Sequence, residues 1–164
     1  MANEILLKKQ TPVIFSTGGA NQNFSIANLA HGAGFRSARI DLGATTQPYK
    51  FEWRGYFQLT STPASLDGFK GIDVYIITSD ATYPDGGFAS TEGSISSLYK
   101  TFNMKQIGSV ILDSTSDSTF RGSGHFECYA RYMQVAIFNN TGLALSSNQS
   151  NNGVIITPVV EEIQ

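Results

Sequence analysis

The sequence predicts an all-β protein, and three of its patterns lead to this prediction. Residues 49–60 alternate apolar or glycine residues with polar or amphipathic ones, and a period of two puts those sets on opposite faces of a strand. Segments of this kind recur at short spacing between turns rich in Gly, Pro, Asn and Ser. Helical periodicity occurs in only one place. We therefore predict a two-sheet antiparallel β-sandwich of eight or more strands, with the jelly roll as the leading topology.

The individual strands follow from runs of alternating or β-branched residues between turn signals. Residues 72–78 are almost continuously apolar, which is typical of a strand covered on both faces. Gly55, inside the longest segment, predicts a bulge, a bend or a close approach by another part of the chain. Residues 139–142 read Asn-Asn-Thr-Gly, which predicts a hairpin turn. The expected strands are residues 24–27, 36–42, 49–60, 72–78, 107–113, 124–129, 132–138, 143–145 and 154–160.

One short helix is expected in a connection near residues 91–103. Its apolar residues recur at i, i+3, i+4 and i+7, the spacing that puts side chains on one helical face. These residues are Ile95, Leu98, Tyr99 and Phe102. Ser90 or Thr91 is a suitable cap for its first turn.

Length and composition set the organisation of the chain. With 164 residues it fits one domain, and we predict an N-terminal arm or edge strand at residues 1–21 before a single β-sandwich domain at residues 22–164. No apolar stretch reaches the ~18 residues of a membrane span. The N-terminal charges follow a very short apolar run, the reverse of a signal peptide. The single cysteine, Cys128, excludes an internal disulfide, so we expect folding in a reducing cytosol.

Charge restricts the partners. The formal net charge is −2, and the longest run of basic residues is Lys8-Lys9. Electrostatic binding to nucleic acid or to an anionic membrane is therefore not expected. Arg36 and Arg39 are close in sequence, and we interpret them as two solvated strand residues rather than a phosphate site.

No residue pattern predicts catalysis, a metal site or a cofactor. His31 and His125 are far apart in sequence, and neither has a nearby second ligand of the kind that zinc needs. Glu52 and Glu127 are the carboxylates that a glycosidase would use, but each is explained as the outward residue of an amphipathic strand. Residues 122–124, Gly-Ser-Gly, are too short for a nucleophile elbow and are interpreted as a turn.

Aromatic residues outside the predicted core are the stronger candidates for binding. Tyr56 lies on the polar face of the longest strand, and Tyr83 and Phe88 lie in the polar loop that follows residue 78. Exposed aromatic side chains commonly contact a protein or stack on a carbohydrate. The alternative, that they pack beneath their own loops, is equally compatible with the sequence.

The segments after residue 84 follow one another in a distinctive order. They are Asp-Gly-Gly at 85–87, the expected helix ending near 103, and residues 107–113, 130–140, 142–145 and 157–164. This order resembles the small virion structural proteins of tailed bacteriophages, several of which decorate capsids. The similarity covers residues 36–164 and leaves out the first 21 residues. The resemblance implies a jelly-roll or sandwich fold and a structural role without catalysis.

The resemblance also implies a partner and a location. We expect a capsid decoration protein that binds the phage major capsid protein or another virion protein. Its expected location is the capsid surface, after synthesis in the host cytoplasm. No cofactor is expected, and both a monomer and a homo-oligomer are compatible with the sequence. The apolar Ile5, Leu6 and Leu7 have no place in the alternating core, so the arm is a candidate anchor or subunit-exchange segment. With Tyr83 and Phe88 they are the expected partner contacts.

Two alternatives remain open at this point. The strand with Ala-Arg-Tyr at 130–132 also resembles carbohydrate-binding β-sandwich modules, which would attach to host-surface glycans through loop aromatics. A tail or baseplate accessory differs from a decoration protein only in its docking partner. Arg54 and Tyr56 on the outer face of the longest strand are a possible docking surface, but we expect the loops and the N-terminal arm to do the binding.

Overall fold

The computed structural model describes residues 5–16, 23–43, 49–68, 70–79, 89–97 and 104–163. Its strands form two antiparallel sheets packed face to face, which confirms the predicted all-β sandwich. A 3-10 helix lies at Gln149–Asn151. The strands are β1 (Ile5–Lys9), β2 (Val13–Ser16), β3 (Gly34–Arg36), β4 (Ile40–Asp41), β5 (Lys50–Gln58), β6 (Gly71–Ser79), β7 (Gly93–Ile95), β8 (Lys105–Ile111), β9 (Thr119–Glu127), β10 (Tyr132–Asn139) and β11 (Gly153–Ile163).

The first sheet has the order β1-β11-β5-β9, and β2 also pairs with β11. β1 and β2 run end to end along one side of β11, where Lys9 pairs with Val159 and Val13 pairs with Ile156. Between these two pairs the N-terminal segment advances by one residue more than β11 does. The two short strands therefore form one edge strand with an irregularity between them. The N-terminal segment is thus an edge strand over its described residues.

The second sheet has the order β7-β3-β10-β6-β8, and β4 pairs with the other end of β10. β3 and β4 were expected as one strand. Ser37 separates them because its hydroxyl accepts a 2.9 Å hydrogen bond from the Val135 main-chain N–H, while its own N–H donates to the Val135 oxygen over 2.8 Å. The side chain therefore takes over one bond of the β-ladder.

The longest predicted strand is β5, and its alternation is confirmed. Phe51, Trp53 and Phe57 are buried against the second sheet, whereas Arg54 is exposed on the other face. The register around Gly55 is regular, so the bulge is absent, but the close approach is present. A Cβ at Gly55 would lie 2.9 Å from Phe57 Cε2.

β6 is covered on both faces, as its continuous apolar sequence predicts. Its inward residues join the core between the sheets, and Val74 is fully buried there. Its outward residues Tyr75 and Ile77 belong to a second apolar cluster with Ile95 and Phe138. The Tyr75 and Phe138 rings meet edge to face, with centroids 5.5 Å apart.

The expected helix near residues 91–103 is wrong at its start. Gly93–Ile95 is β7, which pairs with β3, and Ile95 packs in the cluster on the outer face of the second sheet. Main-chain pairing with a sheet edge outweighs the weak local preference for a helix. Residues 98–103 lie outside the described part of the chain.

Two further strand predictions need correction. Residues 139–142 do turn, but the chain does not return along β10. Leu145 instead bridges to Leu59 beside the first sheet, and Thr60 donates to the Ala144 oxygen over 3.0 Å. Phe24 and Ile26 form no strand, although both are buried in the core. Apolar content predicted their burial correctly, but the alternation was too short to define a strand.

Candidate functional site

A groove on the outer face of the first sheet is lined largely by polar and charged side chains. It has a volume of about 880 Å³ and lies over β5, β9 and β11, with the 3-10 helix at one end and Glu52 at the other. We call it the Arg54–Arg121 groove. It is lined by Glu52, Arg54, Gly55, Tyr56, Thr119, Arg121, Gly122, Ser123, Ser150, Asn151 and Ile155.

Strand alternation places these side chains together. The outward residues of β5 face those of β9 in register, with Tyr56 opposite Arg121 and Arg54 opposite Ser123. Gly122, which is in register with Gly55, lies close to the core, since a Cβ there would be 2.8 Å from Val110 Cγ2. The sequence interpretation of residues 122–124 as a turn is therefore wrong. Their alternation of glycine with polar residues was the signal of a strand packed closely on one face.

Tyr56 is held by a glycine on the neighbouring strand. Gly153 lies opposite Tyr56 in the pairing of β5 with β11, and a Cβ at Gly153 would be 2.6 Å from Tyr56 Oη. The ring therefore lies against the bare backbone of β11, a common way for an aromatic side chain to cover a glycine in a sheet. This contact sets the position of Tyr56 in the groove.

At the Glu52 end of the groove, the negative charge is compensated by two basic side chains. Arg54 donates to Glu52 Oε1 through Nε over 2.9 Å and through Nη2 over 2.8 Å, and Lys9 forms an ion pair with Oε2. The hydrogen bonds from Lys9 and Arg54 lower the pKa of the Glu52 carboxyl below its usual value. Glu52 is therefore ionised at neutral pH, and both of its oxygens are bonded to basic side chains.

The Arg121 end carries an uncompensated charge. Arg121 is exposed, and within the described part of the chain it makes neither a hydrogen bond nor an ion pair. With Lys9 and Arg54 balanced by only one carboxylate, Glu52, the groove and its edge are positive although the chain has a net charge of −2. Such a surface attracts carboxylate, phosphate or sulfate groups.

A smaller cavity of about 460 Å³ adjoins the groove beyond Glu52, and its charges are balanced. Lys50 lies opposite Glu127, and His125 lies opposite Glu52. At its border Tyr129 is 74% exposed and stacks on Tyr49, with centroids 6.0 Å apart and planes inclined by 4°. Sequence reasoning missed Tyr129, because the residue directly follows β9 and was counted with the strand.

Tyr129 also interacts with a carboxylate. Its hydroxyl donates to Glu127 Oε2 over 3.0 Å, which raises the pKa of the phenol because ionisation would put two negative charges together. Glu52 and Glu127 lie on adjacent strands of the same outer face, and each has a donor bonded to it. Their structural explanation as outward strand residues accounts for both.

Of the expected partner contacts, the described part of the chain includes only the backbone of residues 5–7. Ile5, Leu6 and Leu7 lie in β1, where their backbone pairs with residues 161–163 of β11, and their side chains are outside the description. Tyr83 and Phe88 lie outside the described residues. The structure thus leaves these partner contacts as predictions.

The histidines do not form a metal site. His31 Nδ1 accepts a 3.1 Å hydrogen bond from the Gly142 N–H, whereas His125 lies on β9. Across the described ranges there is no group of three or more residues suited to hold a metal ion. No helix in the same ranges is long and apolar enough to cross a membrane.

Polar side chains also form a buried network that the sequence did not reveal. Asp73, 8% exposed on β6, accepts from Ser109 Oγ and Asn140 Nδ2, each over 2.8 Å, and from Gln106 Nε2 over 3.3 Å. Its partners come from β8 and from the turn after β10. The network ties these elements together.

Comparison with known protein families finds no match, and no curated protein is significantly similar to this chain.

Proposed function

We propose that this chain is a non-enzymatic structural protein of a tailed-phage virion, which docks on the capsid through the outer face of its first sheet. The observation that carries this proposal is the Arg54–Arg121 groove, an open and positive surface built on regular strands. Its side chains are suited to recognition, since they offer charge, hydroxyl and aromatic groups on a rigid support. The resemblance of residues 36–164 to virion structural proteins suggests the kind of partner.

The proposal moves the binding surface from the loops to the sheet. Arg54 and Tyr56, which the sequence ranked below the loops and the arm, line the groove together with Arg121. Strand residues are less mobile than loop residues, so fewer degrees of freedom are lost when they bind a partner. The major capsid protein is the proposed partner, and the capsid surface is the proposed location after synthesis in the host cytoplasm.

We also infer that the sandwich is a jelly roll. Its main sheets have the orders β2-β11-β5-β9 and β3-β10-β6-β8. The chain passes from one sheet to the other after β2, β4, β5, β8, β9 and β10. Eight strands that alternate between two sheets in this way are what two interlocked Greek keys produce. An experimental structure with a different strand order would contradict the inference.

The N-terminal strand remains the second proposed contact. β1 pairs with only one neighbour among the described strands, and such an edge strand can be exchanged between subunits or bind a partner. Deleting residues 1–11 and finding unchanged occupancy on capsids would remove Ile5, Leu6 and Leu7 from the docking surface.

Co-sedimentation with expanded capsids of the encoding phage tests the proposed function. We expect the purified protein to sediment with capsids in a saturable manner and to be detected in purified virions by mass spectrometry. Lack of both results would overturn the proposal. Adding simple sugars in excess is the control, since it leaves a protein contact unchanged.

Carbohydrate binding is the second candidate, and the exposed Tyr129 is the observation that favours it. One face of its ring stacks on Tyr49, and an exposed aromatic platform of this kind suits a sugar ring. A glycan array with the wild-type protein and Tyr129→Ala tests this function. Saturable binding that is lost in the variant would support a glycan-attachment module, and no binding to the array would exclude it.

A further inference from the structure

We propose that the Arg54–Arg121 groove binds an acidic peptide segment, in which Asp or Glu carboxylates face the two guanidinium groups. This inference deepens the proposed docking function and rests on it. It assigns the chemistry of the partner segment, which neither the fold nor the resemblance specifies.

The charge of the groove is the first argument. Arg121 is exposed and has no hydrogen-bond or ion-pair partner in the described part of the chain. Arg54 uses Nε and Nη2 on a single oxygen of Glu52. A guanidinium has five N–H donors, so both arginines keep donors for a further acceptor.

The spacing of the arginines is the second argument. Arg54 lies opposite Ser123, and Tyr56, two residues further along β5, lies opposite Arg121. The two arginines are therefore diagonal neighbours on the same face of adjacent strands. Diagonal positions are about 7–8 Å apart, which allows two long side chains to meet one ligand segment. The hydroxyl groups of Thr119 and Ser123 lie on the same side of the groove and are further donors.

The placement of the aromatic residues favours a peptide over a glycan in this groove. The exposed Tyr129 lies outside the lining of the groove, beyond the balanced cavity. Tyr56, which lies inside, is packed against the Gly153 backbone. Recognition in the groove is therefore based on charge and hydrogen bonds, and an extended acidic segment supplies carboxylates at the spacing of the arginines.

A fluorescence anisotropy titration with a fluorescein-labelled hexaglutamate peptide tests the inference, with hexaglutamine as the uncharged control. We expect saturable binding of hexaglutamate that weakens as salt is raised. Arg121→Gln should weaken binding about tenfold, since hydrogen bonds to a charged group are among the stronger ones. The control Arg39→Gln removes the same charge from the segment between β3 and β4, where Arg39 lies over the Tyr132 ring, and should bind as the wild type does.

Weaker binding by Arg121→Gln is not expected to come from unfolding, because Arg121 makes no hydrogen bond or ion pair with a described residue. Equal melting temperatures of the variant and the wild type check this point. Failure of the wild type to bind hexaglutamate, or equal loss in Arg121→Gln and Arg39→Gln, would overturn the inference. Displacement by sialyllactose at lower concentration than by free hexaglutamate would assign the groove to an acidic glycan and overturn it as well.

Capsid co-sedimentation separates this inference from the proposed function. Sedimentation of the wild type with capsids, without hexaglutamate binding, would leave the docking function intact and remove the acidic segment. Hexaglutamate binding by a protein that neither sediments with capsids nor occurs in purified virions would keep the groove chemistry and overturn the virion partner. Loss of both activities in Arg121→Glu would support both.

Discussion

The indole nitrogen of Trp53 donates a 3.1 Å hydrogen bond to the main-chain oxygen of Ile107. Trp53 belongs to β5 in the first sheet, whereas Ile107 belongs to β8 at the edge of the second. The bond therefore joins the two layers through their core. Trp53 is 1% exposed, and its ring lies against Gly108 and Gly124, where the absence of a side chain leaves room for it.

Gly108→Ala should destabilise the sandwich. A Cβ at this position would lie 2.4 Å from Trp53 Cζ2, so either the ring or β8 must move. We expect the free energy of unfolding to fall by about 1–3 kcal/mol. Urea denaturation followed by the emission of the single tryptophan measures it.

Gly93→Ala is the matched control for this substitution. Its Cβ would meet only the end of the Arg36 side chain, at 3.3 Å, and that side chain can shift. The free energy of unfolding should change by no more than about 0.5 kcal/mol. Equal losses in the two variants would contradict the role given to the contact between Gly108 and Trp53.

Asn139→Ala should be among the most damaging polar substitutions in the described chain. Its amide donates to the main-chain oxygens of Leu29 and Leu143, each over 2.8 Å, and its oxygen accepts from the N–H and the hydroxyl of Thr141. Asn139 is fully buried, so truncation removes four interior hydrogen bonds and leaves the Thr141 N–H without its acceptor. The Leu29 oxygen still accepts from the Leu145 N–H, and the Leu143 oxygen still accepts from the Thr141 hydroxyl. We expect a loss of about 3 kcal/mol in thermal unfolding followed by circular dichroism.

The neighbouring Asn140 provides the comparison. Its side chain donates one bond, to Asp73 Oδ2, and Asp73 keeps its contacts with Ser109 and Gln106. Asn140→Ala should therefore cost only about 1 kcal/mol. A loss in Asn140→Ala as large as that in Asn139→Ala would show that the turn, and not the buried amide, controls stability.

The ion pair between Asp41 and Arg131 should give a pH-dependent difference in stability. The hydrogen bonds from Arg131 and from the Gly43 N–H lower the pKa of Asp41 to about 2. Because the pKa is lower in the folded protein, the stabilisation is complete above the unfolded value of about 3.9 and disappears as the pH falls through about 2.

Arg131→Gln measures this contribution. NMR titration should show the pKa of Asp41 rising toward its ordinary value in the variant. The difference in melting temperature between wild type and variant should be constant from pH 7 to pH 5 and should shrink as the pH falls through about 2. It should also shrink in high salt, because both side chains are exposed. A difference that does not change between pH 5 and pH 2 would come from the contact of the Arg131 guanidinium with the Tyr132 ring and not from the ion pair.

Deletion of residues 1–9 should expose one end of β11. Among the described strands, β5 pairs with β11 only from Gly153 to Val159, so residues 160–163 have β1 as their ladder partner. Hydrogen exchange should become faster at those amides of residues 160–163 that donate to β1, which are alternate residues in an antiparallel ladder. Residues 153–156, which keep β5 and β2, serve as the internal control. Unchanged exchange at 160–163 would mean that β1 does not protect them.

The strands with the clearest local sequence patterns were the most predictable. β5 and β6 lie almost where their sequences place them, because alternation and continuous burial both depend on local side-chain chemistry. The error at residues 93–95 came from a region where local periodicity competes with pairing to β3. The misinterpreted turn at residues 122–124 arose because glycines needed for close packing resemble glycines needed for turns.

The candidate site was less predictable than the fold. The sequence placed Arg54 and Tyr56 on an outer face, but it contained no sign that Arg121 lies beside them, since 64 residues lie between Tyr56 and Arg121 along the chain. Register between distant strands depends on the whole sandwich, and a shift by one residue would turn Arg121 to the other face.

The sequence alone therefore determined the class of fold, the inward residues of β5, the coverage of β6 on both faces, and the low net charge of the chain. Each of these properties is local or is a simple sum over the chain. Only the tertiary structure decided that Trp53 joins the two sheets and that Arg121 meets Tyr56 in a positive groove. These are contacts between segments far apart in sequence, and their geometry is set by the packing and register of all the strands together.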